Sequence, residues 1–302
     1  MRVARIPVVG RTLLTLYRAK HVLAYLRAPL ANSLRWIVTS NETTNFTYDL
    51  SELNRRYLAS LVADILNLDY AVIDGYISEL ENDIHLKKHI VSVTAQSSLA
   101  VVADQHVRFG RRVGWYAIVR AMKPRLIVET GVDKGLGSCI LTAALKRNTE
   151  EGFPGRYIGT DINPKAGYLL TGEYAEFGSI LYGDSITSLR TISDEVDIFI
   201  NDSDHSSDYE YREYLTIASK LSSHALVLGD NAHCCDKLLQ FSLESGRRFV
   251  FFQEKPINHW YPGGGIGFSF HRRSSDSRTL TATPMSIATG SISTHLTNSA
   301  DA

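Results

Sequence analysis

No acid precedes Glu42 and no aromatic residue follows Arg273, so the two ends of this chain are unlike its middle. Cysteine is scarce: Cys139, Cys234 and Cys235 are the only three. They form neither a disulfide framework nor a CxxC pair, which argues against a stapled secreted fold and for the reduced cytoplasm. No apolar run approaches the roughly 20 residues that a membrane-spanning helix needs. Arg11 interrupts the one stretch that could serve as a signal-peptide core, so secretion is not expected. The glycosylation triplets that start at Asn41 and Asn45 then carry no meaning. Net charge is +0, so no global excess of either sign selects nucleic acid as a partner.

What is present falls into four segments. In residues 1–45, Arg2, Arg5, Arg11, Arg18, Lys20, Arg27 and Arg35 interleave with Leu13, Leu14, Tyr17, Leu23, Leu26 and Leu30 at near-helical spacing. Such a basic amphipathic leader can dock on its own domain or contact a second copy. Through residues 1–40 it can also lie peripherally on an anionic membrane surface. Residues 46–118 read as helical, with stripes at Leu58, Leu61, Val62, Ile65 and Leu66 and at Ile73, Ile77 and Leu80. A further helix over Arg111–Met122 is ended by Pro124. Residues 119–273 alternate strand and helix patterns. Residues 274–302 are Ser/Thr-rich, cannot bury enough apolar surface to order themselves, and read as a disordered tail.

Within the third segment, strands are expected at Leu126–Val128, Tyr157–Ile162, Ser179–Tyr182, Val196–Ile200, Ala225–Leu228, Arg248–Phe252 and Gly267–His271. Helices are expected after the first glycines, from Pro164 to about Phe177, over Tyr209–Leu221 and through Leu238–Leu243. That alternation argues an α/β fold, a parallel sheet with helices on both faces. The last two strands, with no helix between them, suggest an antiparallel hairpin.

The stretch that organises the rest is Arg125–Ser138, RLIVETGVDKGLGS. It reads as a buried strand, a glycine-rich turn and the start of a helix. Gly131, Gly135 and Gly137 follow a GxxxGxG spacing rather than the GxGxxG of dinucleotide-binding proteins. Such a turn lets backbone approach a ligand, and the helix start offers unpaired N–H groups. Glu129 closes the strand, where a carboxylate suits a ligand with positive charge. Every later strand of the parallel set also ends in an acid: Asp161, Asp184, Asp202 with Asp204, and Asp230. Carboxyl strand ends converge on one crevice in this architecture. Asp161 is placed for ribose hydroxyls, or as a helix cap. Asp184, in Gly183-Asp184-Ser185, is placed for an adenine edge, or as a cap.

Asp202, Asp230 and Asn231 form a second cluster. Two carboxylates and an amide oxygen are hard ligands that suit Mg²⁺ or another divalent ion such as Mn²⁺. His205, at the start of the next helix, can face such an ion and act as a base. His233 is a rival ligand for a softer metal.

Together these residues resemble the class I S-adenosylmethionine-dependent methyltransferases over about Arg111–Arg273. VETGVDKGLGS resembles the first motif of that superfamily, and Asp161 in GTDINP its ribose-binding acid. Asp202, Asp230 and Asn231 resemble the metal triad of the divalent-metal O-methyltransferases of the catechol and caffeoyl-CoA type. His205, where that group has a lysine, is similar to the macrolide sugar O-methyltransferases. The resemblance implies a Rossmann-like, mostly parallel seven-stranded sheet with a terminal antiparallel hairpin. It implies S-adenosylmethionine bound by Glu129, Gly131, Gly135, Gly137, Ser138, Asp161, Asp184 and Ser185. It further implies a metal-held hydroxyl of a small-molecule acceptor and His205 as its base. His259-Trp260-Tyr261-Pro262 and the three glycines after it read as a mobile aromatic lip over the acceptor, or as a plain hairpin connection. Three alternatives stay open: a methyltransferase without metal, an NAD-dependent enzyme, and a noncatalytic module.

Because the tail lacks apolar content, truncation after Arg273 should leave the melting temperature almost unchanged in a thermal scan. A large fall would mean that the tail docks.

Overall fold

The structure, a computed structural model, describes residues 7–43, 47–103, 106–230 and 232–271; all of them fall in one compact unit. The expected tail at 274–302 and the Asn231 ligand lie outside the described residues. Helix α1 (Pro7–Thr39) is followed by α2 (Glu52–Leu66), α3 (Tyr70–Glu81), α4 (Ile84–Gln96) and α5 (Arg112–Met122). Then β1 (Leu126–Thr130), α6 (Leu136–Glu150), β2 (Arg156–Asp161) and β3 (Gly178–Tyr182) lead to α7 (Ser185–Thr191). The chain closes with β4 (Val196–Asn201), α8 (Ser207–Ile217), β5 (Leu221–Asp230), α9 (Lys237–Glu244), β6 (Arg248–Gln253) and β7 (Gly265–Phe270).

The seven strands form one sheet in the order β3-β2-β1-β4-β5-β7-β6. β1, β2, β3, β4 and β5 pair in parallel, and β7 joins β5 and β6 antiparallel. The expected α/β sheet with a terminal hairpin is therefore present. The period of two along each strand sorts side chains between two layers. Ile127, Ile198, Ile200, Leu226 and Leu228 face one core, shared with α2, α3, α5 and α6. Leu126, Val128, Phe199 and Val227 face the other, against Leu189, Tyr214, Ile217, Leu238 and Phe241 of α7, α8 and α9. Continuous apolar runs in the parallel strands follow from burial on both faces.

α5 is the centre of the first layer. Trp115, Tyr116, Ala117, Ile118 and Val119 are all buried, so this helix is apolar nearly all round, as a fully enclosed helix must be. Lys123, in the left-handed region at φ 52°, ends it immediately before Pro124. The boundary expected between 118 and 119 thus falls inside a helix.

One expected element is absent among the described residues. The segment from Pro164 to Phe177 forms turns and a short 3₁₀ helix, Gly172–Phe177, instead of an α-helix. Gly167 (φ +74°) and Gly172 (φ +56°) adopt left-handed backbone there, which interrupts a right-handed helix. Gly167 in turn lies under the start of α6: a Cβ on Gly135 would stand 3.0 Å from its Cα.

Gly131 is the tightest point of the sheet's upper edge. Its φ is +81°, and a Cβ there would meet the backbone oxygen of Asp202 at 1.9 Å. The turn after β1 is packed directly on the turn after β4, and only glycine fits between them. Gly152 has similar backbone, φ +89°, but open space around it, so it isolates the conformational part of the effect. In urea unfolding, Gly131→Ala should cost more than about 2 kcal/mol, against about 1 kcal/mol for Gly152→Ala. Equal losses would refute the close approach.

Candidate active site

The parallel strand order reverses between β1 and β4, and a cleft of about 550 Å³ opens there, at the carboxyl ends of the strands. Gly131, Asp161, Asp184, Ser185, Asp202, His205 and Asp230 all line it. Of the residues expected in the site, Glu129, Gly135, Gly137 and Ser138 stand outside that lining.

Glu129 is instead buried beneath the turn, 2% exposed, and accepts a short hydrogen bond from the Tyr157 hydroxyl. Tyr157 shares a further bond with Ser138, at 2.8 Å. Burial pushes the Glu129 carboxyl up to about 7. A Cβ on Gly137 would meet Glu129 Oε1 at 2.5 Å, which explains that glycine by packing rather than by a ligand. The acid at the end of β1 therefore braces the start of α6.

Asp161 sits in the cleft wall but works on backbone. The amides of Val132 and Asp133 each donate to its Oδ2 at 3.0 Å, and the amide of Asn163 donates to Oδ1 at 2.8 Å. It fixes the turn after Gly131 and keeps lone pairs for a ligand hydroxyl. Asp184 caps α7: its Oδ1 accepts from the Thr187 amide at 2.7 Å, and its Oδ2 from the Tyr209 hydroxyl at 2.8 Å. The Tyr209 bond first, and Thr187 next, hold Asp184 below the usual carboxylate range. Beside them, Thr160 Oγ1 is buried in the wall with no hydrogen-bond partner. Acceptors on two adjacent strand ends and an orphaned hydroxyl fit a ribose-bearing ligand.

The other end of the cleft is built from charges. Asp202 and Asp230 come together from the ends of β4 and β5. Burial first, and then the charge of Asp230, push Asp202 well above the carboxylate range. Asp230 is buried, but Arg111 overcomes that burial and holds it ionised. Arg111 Nε and Nη2 grip the two carboxylate oxygens of Asp230 side by side. The far side of the guanidinium faces Glu254 Oε1 at 3.5 Å and Tyr48 Oη at 3.4 Å, and Tyr48 donates to Glu254 Oε2 at 2.6 Å. Arg112 also reaches the cleft, where its Nε is buried without a partner.

A divalent ion does not fit this arrangement. The oxygens of Asp230 that would ligate it are held by the Arg111 guanidinium. Among the described residues, no group of three His, Cys, Asp or Glu side chains could hold a metal. His205 is exposed in the cleft wall, just ahead of α8. His233, the rival ligand, stands outside the lining and contacts Cys234 Sγ at 3.6 Å.

Two features escape sequence reasoning. Glu213, fully buried on α8, accepts from Thr130 Oγ1 at 3.1 Å and Ser203 Oγ at 2.8 Å, and by shorter bonds from Ser185 and Asn201. One carboxylate thus ties together the turns after β1, β3 and β4. Its signal is position: it shares the buried helical face of Glu210, Tyr214 and Ile217. The second is the pair Arg111-Arg112, two cations at a helix start where the macrodipole disfavours positive charge. In the aromatic loop, His259 and Trp260 pack on Trp36 of α1, and Tyr261 packs on Tyr48.

Residues 128–232 match the family model described as a methyltransferase domain. No curated protein matches the sequence. Among solved structures, an O-methyltransferase from Bacillus cereus in complex with SAH is 15% identical with a TM-score of 0.49, covering 66% of this chain and 97% of that one. The SAM complex of TomG from Streptomyces achromogenes, an O-methyltransferase of tomaymycin synthesis, is 17% identical with a TM-score of 0.46, covering 64% and 91%. The SAH-bound methyltransferase PaMTH1 of Podospora anserina is 15% identical with a TM-score of 0.45, covering 62% and 88%. The glycine turn after β1, the acid at the end of β2 and the cleft wall of β4 and β5 all fall inside the stretch that matches the methyltransferase-domain model.

Proposed function

We propose that this enzyme transfers the methyl group to a hydroxyl of a small molecule, with His205 as the base. The observation that carries the reading is the two-ended cleft. Its Asp161–Asp184 end offers acceptors and the orphaned Thr160 hydroxyl to a nucleoside. His205, Arg111, Arg112, Asp202 and Asp230 line the same cleft, which supports an imidazole acting next to charged groups.

The donor supplies an already activated sulfonium methyl, so the chain's task is alignment and proton removal. Asp161 holds the ribose while its three backbone bonds keep the turn at Gly131 rigid. Asp184 and Ser185, fixed by Tyr209, border the base. The acceptor hydroxyl enters near His205, which takes its proton as the oxygen–methyl bond forms and the sulfur–methyl bond breaks. No step runs through a metal, because the carboxyl pair is already compensated. A neutral hydroxyl is a poor nucleophile near pH 7, and a positioned base answers that difficulty.

Calorimetry should find saturable binding of S-adenosylmethionine and none of NAD. Asp161→Ala should weaken donor binding by about 1.5–3 kcal/mol, the scale of hydrogen bonds to a charged group. Unchanged affinity would remove Asp161 from the donor site. His205→Ala should lower turnover on a hydroxylated acceptor by about 10²–10⁴-fold while donor affinity holds. Full activity in that variant would place the base elsewhere, with Asp204 the next residue to test.

A further inference from the structure

We propose that Arg111 and Arg112 take the place of a divalent cation: Arg111 neutralises the Asp202–Asp230 pair, and Arg112 presents the free charged donor to the acceptor oxygen. The inference rests on the methyl-transfer reading above. It adds two residues to the site and fixes the source of its positive charge.

Two acids brought together at adjacent strand ends need a counter-cation. In this chain that cation is covalent. Arg111 is 4% exposed and lies side by side with both oxygens of Asp230. Paired N–H donors in this fork geometry match a carboxylate better than any other side chain does. The guanidinium is also anchored from behind by Glu254 and Tyr48, so it is part of the wall rather than a flexible arm.

Arg112 is in a different state. Its Nε is buried in the cleft with no partner, although buried donors are normally satisfied. Its guanidinium stacks near Trp115 at 5.4 Å, which fixes its direction. An unfilled, charge-assisted donor in a partly dry wall is suited to an oxygen that gains negative charge as its proton leaves. Both arginines open α5, against the preference of the helix dipole. A local rule broken twice in succession is expected at a functional site rather than in plain scaffold.

The decisive measurement is Mn²⁺ binding by electron paramagnetic resonance, which needs no turnover. The wild-type chain should bind no Mn²⁺ at the Asp202–Asp230 pair, and its activity should survive EDTA. Arg111→Ala should gain an Mn²⁺ site that Asp230→Asn, added to it, removes. Arg112→Gln should lower turnover by about 10²–10³-fold with donor affinity retained, and Arg112→Lys should recover part of it. An Mn²⁺ site in the wild type that Asp230→Asn abolishes would overturn the proposal. So would loss of activity in EDTA with recovery on adding Mn²⁺, or full turnover in Arg112→Gln. If Arg111→Ala folds and binds no ion, arginine does not stand in for a cation. If it fails to fold, the wild-type measurement decides. Failure to bind S-adenosylmethionine would sink the methyl-transfer reading and leave the Mn²⁺ result intact.

Discussion

The buried ion pair between Arg111 and Asp230 sets the terms for everything around it. A charge taken out of water is costly, and removing one member of a buried pair commonly costs about 3–5 kcal/mol because the other is stranded. The approach of Asp202 to Asp230 raises the affinity of Asp202 for its proton. Glu254 and Tyr48 are held close to complete the guanidinium's surroundings. The floor of one end of the cleft is therefore an electrostatic unit drawn from the start of α5, the ends of β4, β5 and β6 and the segment before α2.

The upper edge of the sheet is held by a different device. Gly131 allows two strand-end turns to touch, Asp161 gathers the amides beyond it, and Glu213 gathers three hydroxyls and an amide below. Burial pushes Glu213 up, and its hydrogen bonds oppose that shift. The result is a rigid rim made of loops. Loops carry function when a scaffold fixes them, and here the fixing is done by carboxylates that accept several bonds each.

Much of this was legible in the sequence because it depends on period and position. Alternation of strands and helices, the glycine turn and the acids at strand ends all follow from local pattern. What pattern conveys poorly is partnership. Glu129 and Asp161 occupy equivalent places at the ends of β1 and β2, yet one is buried on Tyr157 and the other faces the cleft. Asp230 reads as a hard ligand until Arg111, 119 positions away along the chain, is seen to fill its oxygens. The Pro164–Phe177 segment reads as a helix because it lies between two strand patterns, while Gly167, which helps break it, packs against the start of α6 and Ile180 of β3.

The bridge between Leu50 and Pro256 has a consequence for how the two ends of the fold depend on each other. Ser51 donates to the Lys255 carbonyl at 2.9 Å, Ile257 donates to that of Asp49 at 2.9 Å, and Asn54 bonds both Gln253 and Lys255. The leading helical layer is thereby stitched to the hairpin that ends the sheet, with Tyr48 carried in the same seam. Recombination that swaps this layer between relatives would transplant part of the cleft's charge balance along with it.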